Sequence, residues 1–162
     1  RVDQARQHPT WDAQRVEQWI AQAVTAGAKI LCGGRRHGPC VEATYVADVD
    51  PRQPLSCQEV FGPVAVLARF DDFATAIRMA NDSRYGLQAG VFTRDLEHAW
   101  HAYEELEVGG VVINDVPSTR VDSMPYGGVK DSGLGREGVG YEIVEMTERR
   151  VMVLKREKNP HR

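Results

Sequence analysis

The fold is decided by the stretch Gly62-Pro63-Val64-Ala65-Val66-Leu67, in which a turn-forming pair precedes a nearly continuous apolar run. Such a run is typical of a strand that is buried on both faces, as the strands of parallel sheets are. Two more apolar runs follow, Gly90-Val91-Phe92 and Val111-Val112-Ile113, and helical patterns separate the three. The order strand, helix, strand, helix, strand predicts the α/β class, with a parallel sheet and covering helices.

The residues around these runs predict further elements. Apolar residues recur at helical spacing from Asp12 to Val24, and Gly27 follows them as a stop signal. Lys29-Ile30-Leu31-Cys32 predicts a short strand, and residues 41–56 predict extended segments. The two helices between the apolar runs are predicted from the apolar sets Phe73, Ile77 and Ala80, and Leu96, Ala99, Trp100, Tyr103 and Leu106.

The domain organisation predicted from these patterns has three parts. Residues 1–11 are polar and lack a hydrophobic period, so we expect a loose lead-in. Residues 12–147 form the body of the domain, and residues 148–162 carry the apolar run Val151-Met152-Val153-Leu154 in a basic tail. An apolar strand flanked by charge suits pairing with another chain, which predicts a homo-oligomer. Docking of this run on its own domain is an equally open alternative.

Composition narrows the range of partners. With 162 residues and 42% hydrophobic content, the chain can bury a core without metals or disulfides. A net charge of −3 gives no general reason to bind nucleic acid or a membrane surface, and no apolar run reaches membrane-spanning length. The spacing of the three cysteines matches neither a zinc site nor a disulfide framework, which favours the reducing cytoplasm. We therefore expect a small-molecule or protein partner and no metal site.

Two residues near the deciding stretch could bind a nucleotide cofactor. Glu59 and Phe61 are two positions apart, so in an extended segment both side chains project to one side. A carboxylate accepts hydrogen bonds from a pair of ribose hydroxyls, and an aromatic ring supports a flat group such as nicotinamide. The alternative for Phe61 is a core residue at the start of a strand, which is the commoner role in this context.

The loop from Asn114 to Arg120 is the first place to look for a substrate site. It follows the third apolar run, and open α/β sheets bind ligands at the carboxyl ends of their strands. The Arg120 guanidinium could hold a carboxylate, phosphate or phosphonate by paired hydrogen bonds. A structural salt bridge with Asp115 or Asp122 is at least as good an interpretation.

Two further motifs do not support a site of their own. Gly133-Leu134-Gly135-Arg136-Glu137-Gly138 matches the dinucleotide pattern Gly-x-Gly-x-x-Gly, but the polar, glycine-rich residues before it predict no strand. We therefore interpret it as a structural loop. Cys57 has no neighbouring group in the sequence that would activate a thiolate, so we assign it no catalytic role.

Six segments, in this order, resemble the aldehyde dehydrogenase superfamily from about Trp11 to Leu154. They are residues 26–34, Glu59-Val60-Phe61-Gly62-Pro63-Val64, residues 80–87, residues 90–95, residues 109–114 and residues 125–138. The stretch Met124-Pro125-Tyr126-Gly127-Gly128-Val129-Lys130-Asp131-Ser132-Gly133 is similar to members that act on small polar or anionic aldehydes. The resemblance covers nearly the whole chain and identifies it as the C-terminal part of a catalytic domain, over residues 12–147.

This resemblance implies a function and a role for several residues. Members oxidise an aldehyde to its acid: a cysteine attacks the carbonyl, a hydride passes to NAD or NADP, and water activated by a glutamate releases the acid. By motif, Glu59 would bind the nicotinamide ribose and Phe61 would contact the nicotinamide. Tyr126 matches an aromatic residue that lines the aldehyde tunnel, and Asn114 matches the position that closes the strand beneath it. The terminal strand of the family takes part in subunit assembly.

The departures from the family are as informative as the matches. The nucleophilic cysteine, the general-base glutamate and the dinucleotide-binding domain all lie upstream of the matching segments, so we assign no catalytic residue here. We expect the 162 residues alone to be inactive, as a fragment would be, and the first residue, Arg1 rather than Met, agrees with a fragment or a processed product. The alternative is a stand-alone assembly or binding module that has the dehydrogenase fold without its chemistry.

Overall fold

The computed structural model describes residues 9–155, which divide into two compact units between Met79 and Ala80. The helices are α1 (Pro9–Thr25), α2 (Pro54–Cys57), α3 (Phe73–Asn81), α4 (Leu96–Glu105) and α5 (Val139–Glu145). The strands are β1 (Lys29–Cys32), β2 (Arg36–His37), β3 (Cys40–Val41), β4 (Thr44–Ala47), β5 (Val64–Leu67), β6 (Tyr85–Gly86), β7 (Gln88–Val91), β8 (Gly110–Ile113) and β9 (Val129–Lys130).

The first unit packs α1 onto a sheet with the strand order β1-β4-β5. Strands β4 and β5 run parallel, from Thr44 opposite Val64 to Ala47 opposite Leu67, and β1 is antiparallel to β4. One apolar face of α1 forms the core with the central strand and α2, because residues at helical spacing share that face. The buried members of this cluster are Val16, Ile20, Ala23, Ala28, Val46 and Leu55.

The second unit contains the parallel pair β7 and β8, which α4 connects along the chain. Asp95 is the N-cap of α4, where its side chain accepts a hydrogen bond from the Glu97 N–H at 2.9 Å. The short strand β6 pairs with β9 in antiparallel fashion. The strand, helix, strand order of this unit places the end of β8 directly before the loop that begins at Asn114.

The α/β class, with parallel strand pairing and helices, is confirmed. The helix predicted from Asp12 is present but begins at Pro9, inside the predicted lead-in, and residues 1–8 lie outside the described residues. The strands predicted at β1 and β5 have the predicted bounds.

Two details of the predicted sheet differ. The three apolar runs do not share one sheet among the described strands, since β5 pairs with β4 and β7 pairs with β8. The extended segments predicted over residues 41–56 include β4, but the prediction is wrong at Pro54–Cys57, which is the helix α2, because a proline in the first turn favours a helix start. Burial of β5 alternates, with Val64 and Val66 packed on the core while Ala65 and Leu67 are exposed, because the core covers one face of this strand.

The apolar run from Val151 to Leu154 belongs to no strand in the structure, and its four side chains are 80–85% exposed. A strand requires a hydrogen-bonding partner on at least one edge, and this run has none among the residues described. The last seven residues of the basic tail, 156–162, lie outside the described range.

Candidate functional site

Glu59 and Phe61, the predicted cofactor-binding pair, lie in the loop between α2 and β5. The Glu59 side chain is exposed, and Phe61 is 78% exposed with a φ of 50°. A left-handed φ is uncommon for a bulky residue, so this segment is not the extended strand that the spacing suggested. The alternative role of Phe61 as a core residue is wrong, because its ring is exposed.

The backbone of this loop is held on the sheet of the first unit. The Thr44 N–H donates to the Pro63 carbonyl at 2.9 Å, and the Val64 N–H donates to the Gly62 carbonyl at 2.8 Å. The half-buried Val60 side chain packs on the core cluster. The loop therefore presents an exposed carboxylate and an exposed ring from a fixed main chain.

Asn114 joins the carboxyl ends of the two parallel strands in the second unit. Its N–H donates to the Val91 carbonyl at 2.8 Å, and its Oδ1 accepts from the Thr93 N–H at 2.9 Å. Its φ of 60° is in the left-handed region, which asparagine adopts more readily than most residues. Asn114 thus fixes the start of the predicted substrate loop.

Arg120 and Tyr126, both predicted to line the substrate site, are in direct contact. The Arg120 guanidinium lies over the Tyr126 ring at 4.6 Å from the ring centroid. Its Nη2 is 3.1 Å from Glu137 Oε2, and Tyr126 and Glu137 exchange backbone hydrogen bonds. A salt bridge was predicted as an alternative role of Arg120, but with Asp115 or Asp122. The observed partner is Glu137, which is distant in sequence and was therefore missed.

Asp115 has a local role in the loop instead. The pKa of its carboxyl lies below the ordinary aspartate value, first because the Val116 N–H donates to it at 2.8 Å and then because the Thr119 side chain hydrogen-bonds to it. Its negative charge therefore stabilises the turn after Asn114.

Lys130 is a second residue that sequence reasoning missed. Its Nζ donates to the carbonyls of Asn81 at 2.8 Å and Ser83 at 3.1 Å, and it lies 2.6 Å from Glu107 Oε2. Its φ is 54°. The sequence did contain a signal for both residues, since Lys130 and Glu137 are charged residues within glycine-rich segments. Their spacing alone, however, does not predict which residue each one contacts.

The glycine motif at residues 133–138 has the context of a structural loop. The strand before it, β9, has two residues and pairs in antiparallel fashion, whereas a dinucleotide fingerprint follows a parallel strand. Gly138, with a φ of 116°, precedes the first residue of α5, and an added Cβ would lie 2.9 Å from the Met124 carbonyl oxygen. Close backbone packing explains why a glycine occupies this position.

Other kinds of site find no support in residues 9–155. No group of three or more His, Cys, Asp or Glu in this range could hold a metal ion. The thiols of Cys32, Cys40 and Cys57 are free and exposed. No helix in the same range has the length and apolar character needed to cross a membrane.

The described residues thus combine an exposed carboxylate and ring on one loop with a guanidinium stacked on a phenol ring on another, on α/β units with parallel strands. The chain belongs to the aldehyde dehydrogenase family, whose model matches residues 8–152. It spans about 30% of the length of the curated relatives it matches.

Particular relatives share much of this sequence. The chain is 50% identical over 143 residues to a 3-sulfolactaldehyde dehydrogenase of Priestia aryabhattai, covering 88% of this chain and 30% of the relative. Among solved structures it is similar to aldehyde dehydrogenase 21 from Physcomitrella patens in complex with the reaction product succinate, with 46% identity and a TM-score of 0.87. The match covers 90% of this chain and 30% of that structure's chain. It is also similar to a glyceraldehyde-3-phosphate dehydrogenase from Methanocaldococcus jannaschii complexed with NADP, with 42% identity and a TM-score of 0.80. The match covers 85% of this chain and 30% of that structure's chain.

Proposed function

We propose that residues 12–147 are the C-terminal part of the catalytic domain of an NAD(P)-dependent aldehyde dehydrogenase that oxidises a small anionic aldehyde to its acid in the cytoplasm. The observation that carries this proposal is the exposure of Glu59 and Phe61 on a loop whose backbone is held on the sheet. In the same proposal, residues 148–162 provide the assembly strand and a basic tail.

Glu59 and Phe61 form one wall of the cofactor site. The Glu59 carboxylate is exposed and would accept hydrogen bonds from the two hydroxyls of the nicotinamide ribose, and the exposed Phe61 ring would contact the nicotinamide. Both side chains are accessible to a cofactor, because no other described residue of the first unit buries them. When bound, the cofactor would supply the hydride acceptor for the oxidation. The task of this chain is to hold and orient the cofactor's reactive end.

Asn114, Arg120 and Tyr126 line the substrate site. Arg120 binds the anionic end of the aldehyde, since a guanidinium pairs with carboxylate, sulfonate and phosphate oxygens through fixed, parallel N–H groups. The Tyr126 ring keeps the guanidinium in position by stacking, at 4.6 Å. Support comes from three relatives whose descriptions include 3-sulfolactaldehyde, the reaction product succinate and glyceraldehyde-3-phosphate, which are anionic, while the names of other relatives include lactaldehyde, which is neutral.

The nucleophile and the general base belong, in this proposal, to the part of the protein that precedes these residues. The 162-residue chain alone would then neither oxidise aldehydes nor bind NAD(P) tightly, because one wall of a site is a poor binding surface. A second candidate is a stand-alone assembly module, which the exposure of Val151, Met152, Val153 and Leu154 favours.

Calorimetry and an activity assay separate these two candidates. We expect no measurable NAD or NADP affinity at millimolar cofactor for the chain alone. NAD(P)-dependent oxidation of succinic semialdehyde is expected once the residues that precede Arg1 in its gene are joined to it. If the longer protein has no dehydrogenase activity, the assembly module is the better assignment.

Substitution of Arg120 tests the substrate class in the active, longer protein. Arg120→Ala should raise the Michaelis constant for an anionic aldehyde by roughly tenfold or more, because a charge-assisted hydrogen bond is lost. The Michaelis constant for propionaldehyde, which is neutral, should not change. Arg52→Ala is the matched control, because Arg52 is a highly exposed arginine paired with Asp50. Equal losses for both aldehydes would reject the anion-binding role.

The proposed role of residues 151–154 in subunit assembly is tested by measuring the molecular mass of the longer protein in solution. Val151→Glu together with Val153→Glu should shift the protein toward monomer in light scattering, because charge on an apolar pairing strand opposes association. A double substitution at the exposed helix residues Val139 and Ile143 is the control. An unchanged mass in the first variant would mean that the subunits meet elsewhere.

A further inference from the structure

Arg15 of α1 makes a contact with the loop that carries Glu59 and Phe61. Its Nη2 donates a hydrogen bond to the Val60 carbonyl oxygen at 2.8 Å. The guanidinium lies over the Trp19 ring at 4.6 Å from the centroid, and Nη2 is 3.5 Å from Asp12 Oδ1. About a third of the side chain is exposed, so this charged group is partly removed from water and held by three partners.

The contact falls on the peptide that joins Val60 to Phe61. The Val60 carbonyl and the Phe61 N–H share one peptide plane, so fixing the carbonyl also fixes the bond about which the φ of Phe61 turns. That φ is 50°, a conformation that a bulky residue holds only where its surroundings enforce it. The next residue also meets α1, since a Cβ at Gly62 would lie 3.0 Å from Val16 Cγ2.

We propose that Arg15 is a positioning residue, which holds the Val60–Phe61 peptide so that Glu59 and Phe61 face the nicotinamide end of the cofactor. The proposal rests on the proposed function, and it adds a residue more than forty positions away in the sequence. The chemistry favours arginine, because a planar guanidinium can stack on Trp19 while donating to a carbonyl. A lysine could make the hydrogen bond but not the stack in the same geometry.

The first experiment measures the loop itself, in the 162-residue chain and without cofactor. In Arg15→Met, the amide order parameter of Phe61 from NMR relaxation should fall from about 0.85, typical of rigid backbone, to below about 0.6. Arg36→Met is the matched control, because Arg36 also pairs with α1, through Glu17 at 2.6 Å, and donates to a carbonyl, that of Gly38. An order parameter at Phe61 that is the same in both variants would overturn the proposal.

Arg15→Lys guards against a variant that does not fold. It keeps the charge and one donor, so we expect an order parameter between those of the unsubstituted chain and Arg15→Met. If Arg15→Lys behaves like the unsubstituted chain in every measurement, the stacked guanidinium is not needed and the proposal is wrong in that respect.

The second experiment uses the longer, active protein. Arg15→Met should lower kcat by roughly 10- to 100-fold, since small misplacement of reacting groups has effects of this size, with little change in the Michaelis constant for the aldehyde. In a Phe61→Ala, Glu59→Gln background, the same substitution should cause no further loss, because Arg15 acts only through these two residues. Additive losses would show that Arg15 acts independently of them and would overturn the proposal.

Two control variants, Phe61→Ala and Glu59→Gln, distinguish failure of the positioning role of Arg15 from failure of the proposed function. If Phe61→Ala and Glu59→Gln leave the cofactor's Michaelis constant and kcat unchanged, the proposed cofactor wall is wrong, and the role of Arg15 falls with it. If those two variants lose activity while Arg15→Met does not, the proposed function stands and the positioning role alone is rejected.

Discussion

In the unit from Arg1 to Met79, six buried apolar residues pack into one cluster, whereas in the unit from Ala80 to Arg162 the described buried hydrophobic residues are Ala102 and Leu106. The second unit is instead held by long-range polar contacts, notably those of Lys130 and Asn81. The two loops that carry candidate site residues are therefore supported differently. The loop of Glu59 and Phe61 is attached to an apolar core, whereas Arg120 is held by an ion pair with Glu137 and by the Tyr126 ring.

The two loops should therefore respond differently to salt and to substitution. Apolar packing is not screened by salt as charge pairs are, and it fixes a backbone closely because interiors are densely packed. Exposed charge pairs contribute little each and weaken with salt. We therefore expect the loop of Glu59 and Phe61 to be the more rigid of the two, and the contacts of Arg120 to be altered more easily by substitution.

The largest expected effect is in the core of the first unit. Ile20→Ala should lower the free energy of unfolding of the chain by about 2–5 kcal/mol in urea titrations, because it removes buried methyl groups and leaves a cavity. Ile143→Ala, on the exposed face of α5, is the control and should change it by less than about 0.5 kcal/mol. Similar losses in the two variants would contradict the difference between the units.

A smaller loss is expected from the polar network of the second unit. Lys130→Met should lower the free energy of unfolding by about 1–3 kcal/mol, since the Asn81 and Ser83 carbonyls lose their donor. The same substitution at Lys29, whose exposed amino group pairs with Asp48, serves as the control and should have little effect. If Lys130→Met proves as mild as its control, the second unit does not depend on this network.

An effect on specificity is expected at Glu137. Glu137→Gln removes the negative charge that pairs with Arg120 at 3.1 Å, so an anionic aldehyde no longer competes with a carboxylate for the guanidinium. In the longer protein that the proposed function requires, the Michaelis constant for the anionic aldehyde should fall by about two- to fivefold, the size of an exposed ion pair. Propionaldehyde is the control substrate, and an equal change with it would contradict the competition.

The smallest effect concerns pH. The pKa values of Asp48, Asp50 and Asp72 lie below the ordinary aspartate value, chiefly through hydrogen bonds from Lys29, Arg52 and the Thr75 N–H respectively. Because the folded pKa is the lower one, these carboxylates stabilise the fold above the unfolded pKa. That stability is lost as the pH falls from about 4 through the folded values. The triple Asp→Asn variant should therefore unfold with a flatter pH dependence below about pH 4.

Much of the fold could be predicted from local pattern, and the failures have physical causes. The helix of Val16 and Ile20 and the strand of Val64 and Val66 were predicted because their apolar spacing reflects the surface they bury. The pairing of β5 with β4 could not be predicted, since pairing depends on which edges meet and not on the strand's own residues. The left-handed backbone of Phe61 was missed, because such a conformation leaves no mark in residue spacing.

Residue type, order and spacing were enough to predict the class of the fold and the family, and they also nominated the candidate site residues. Only the tertiary structure decided that Arg120 pairs with Glu137, that Lys130 holds the Asn81 and Ser83 carbonyls, and that Arg15 reaches the Val60 carbonyl. Each of these contacts joins residues that are distant in the chain. Long polar side chains can meet many partners, and the folded backbone alone selects one.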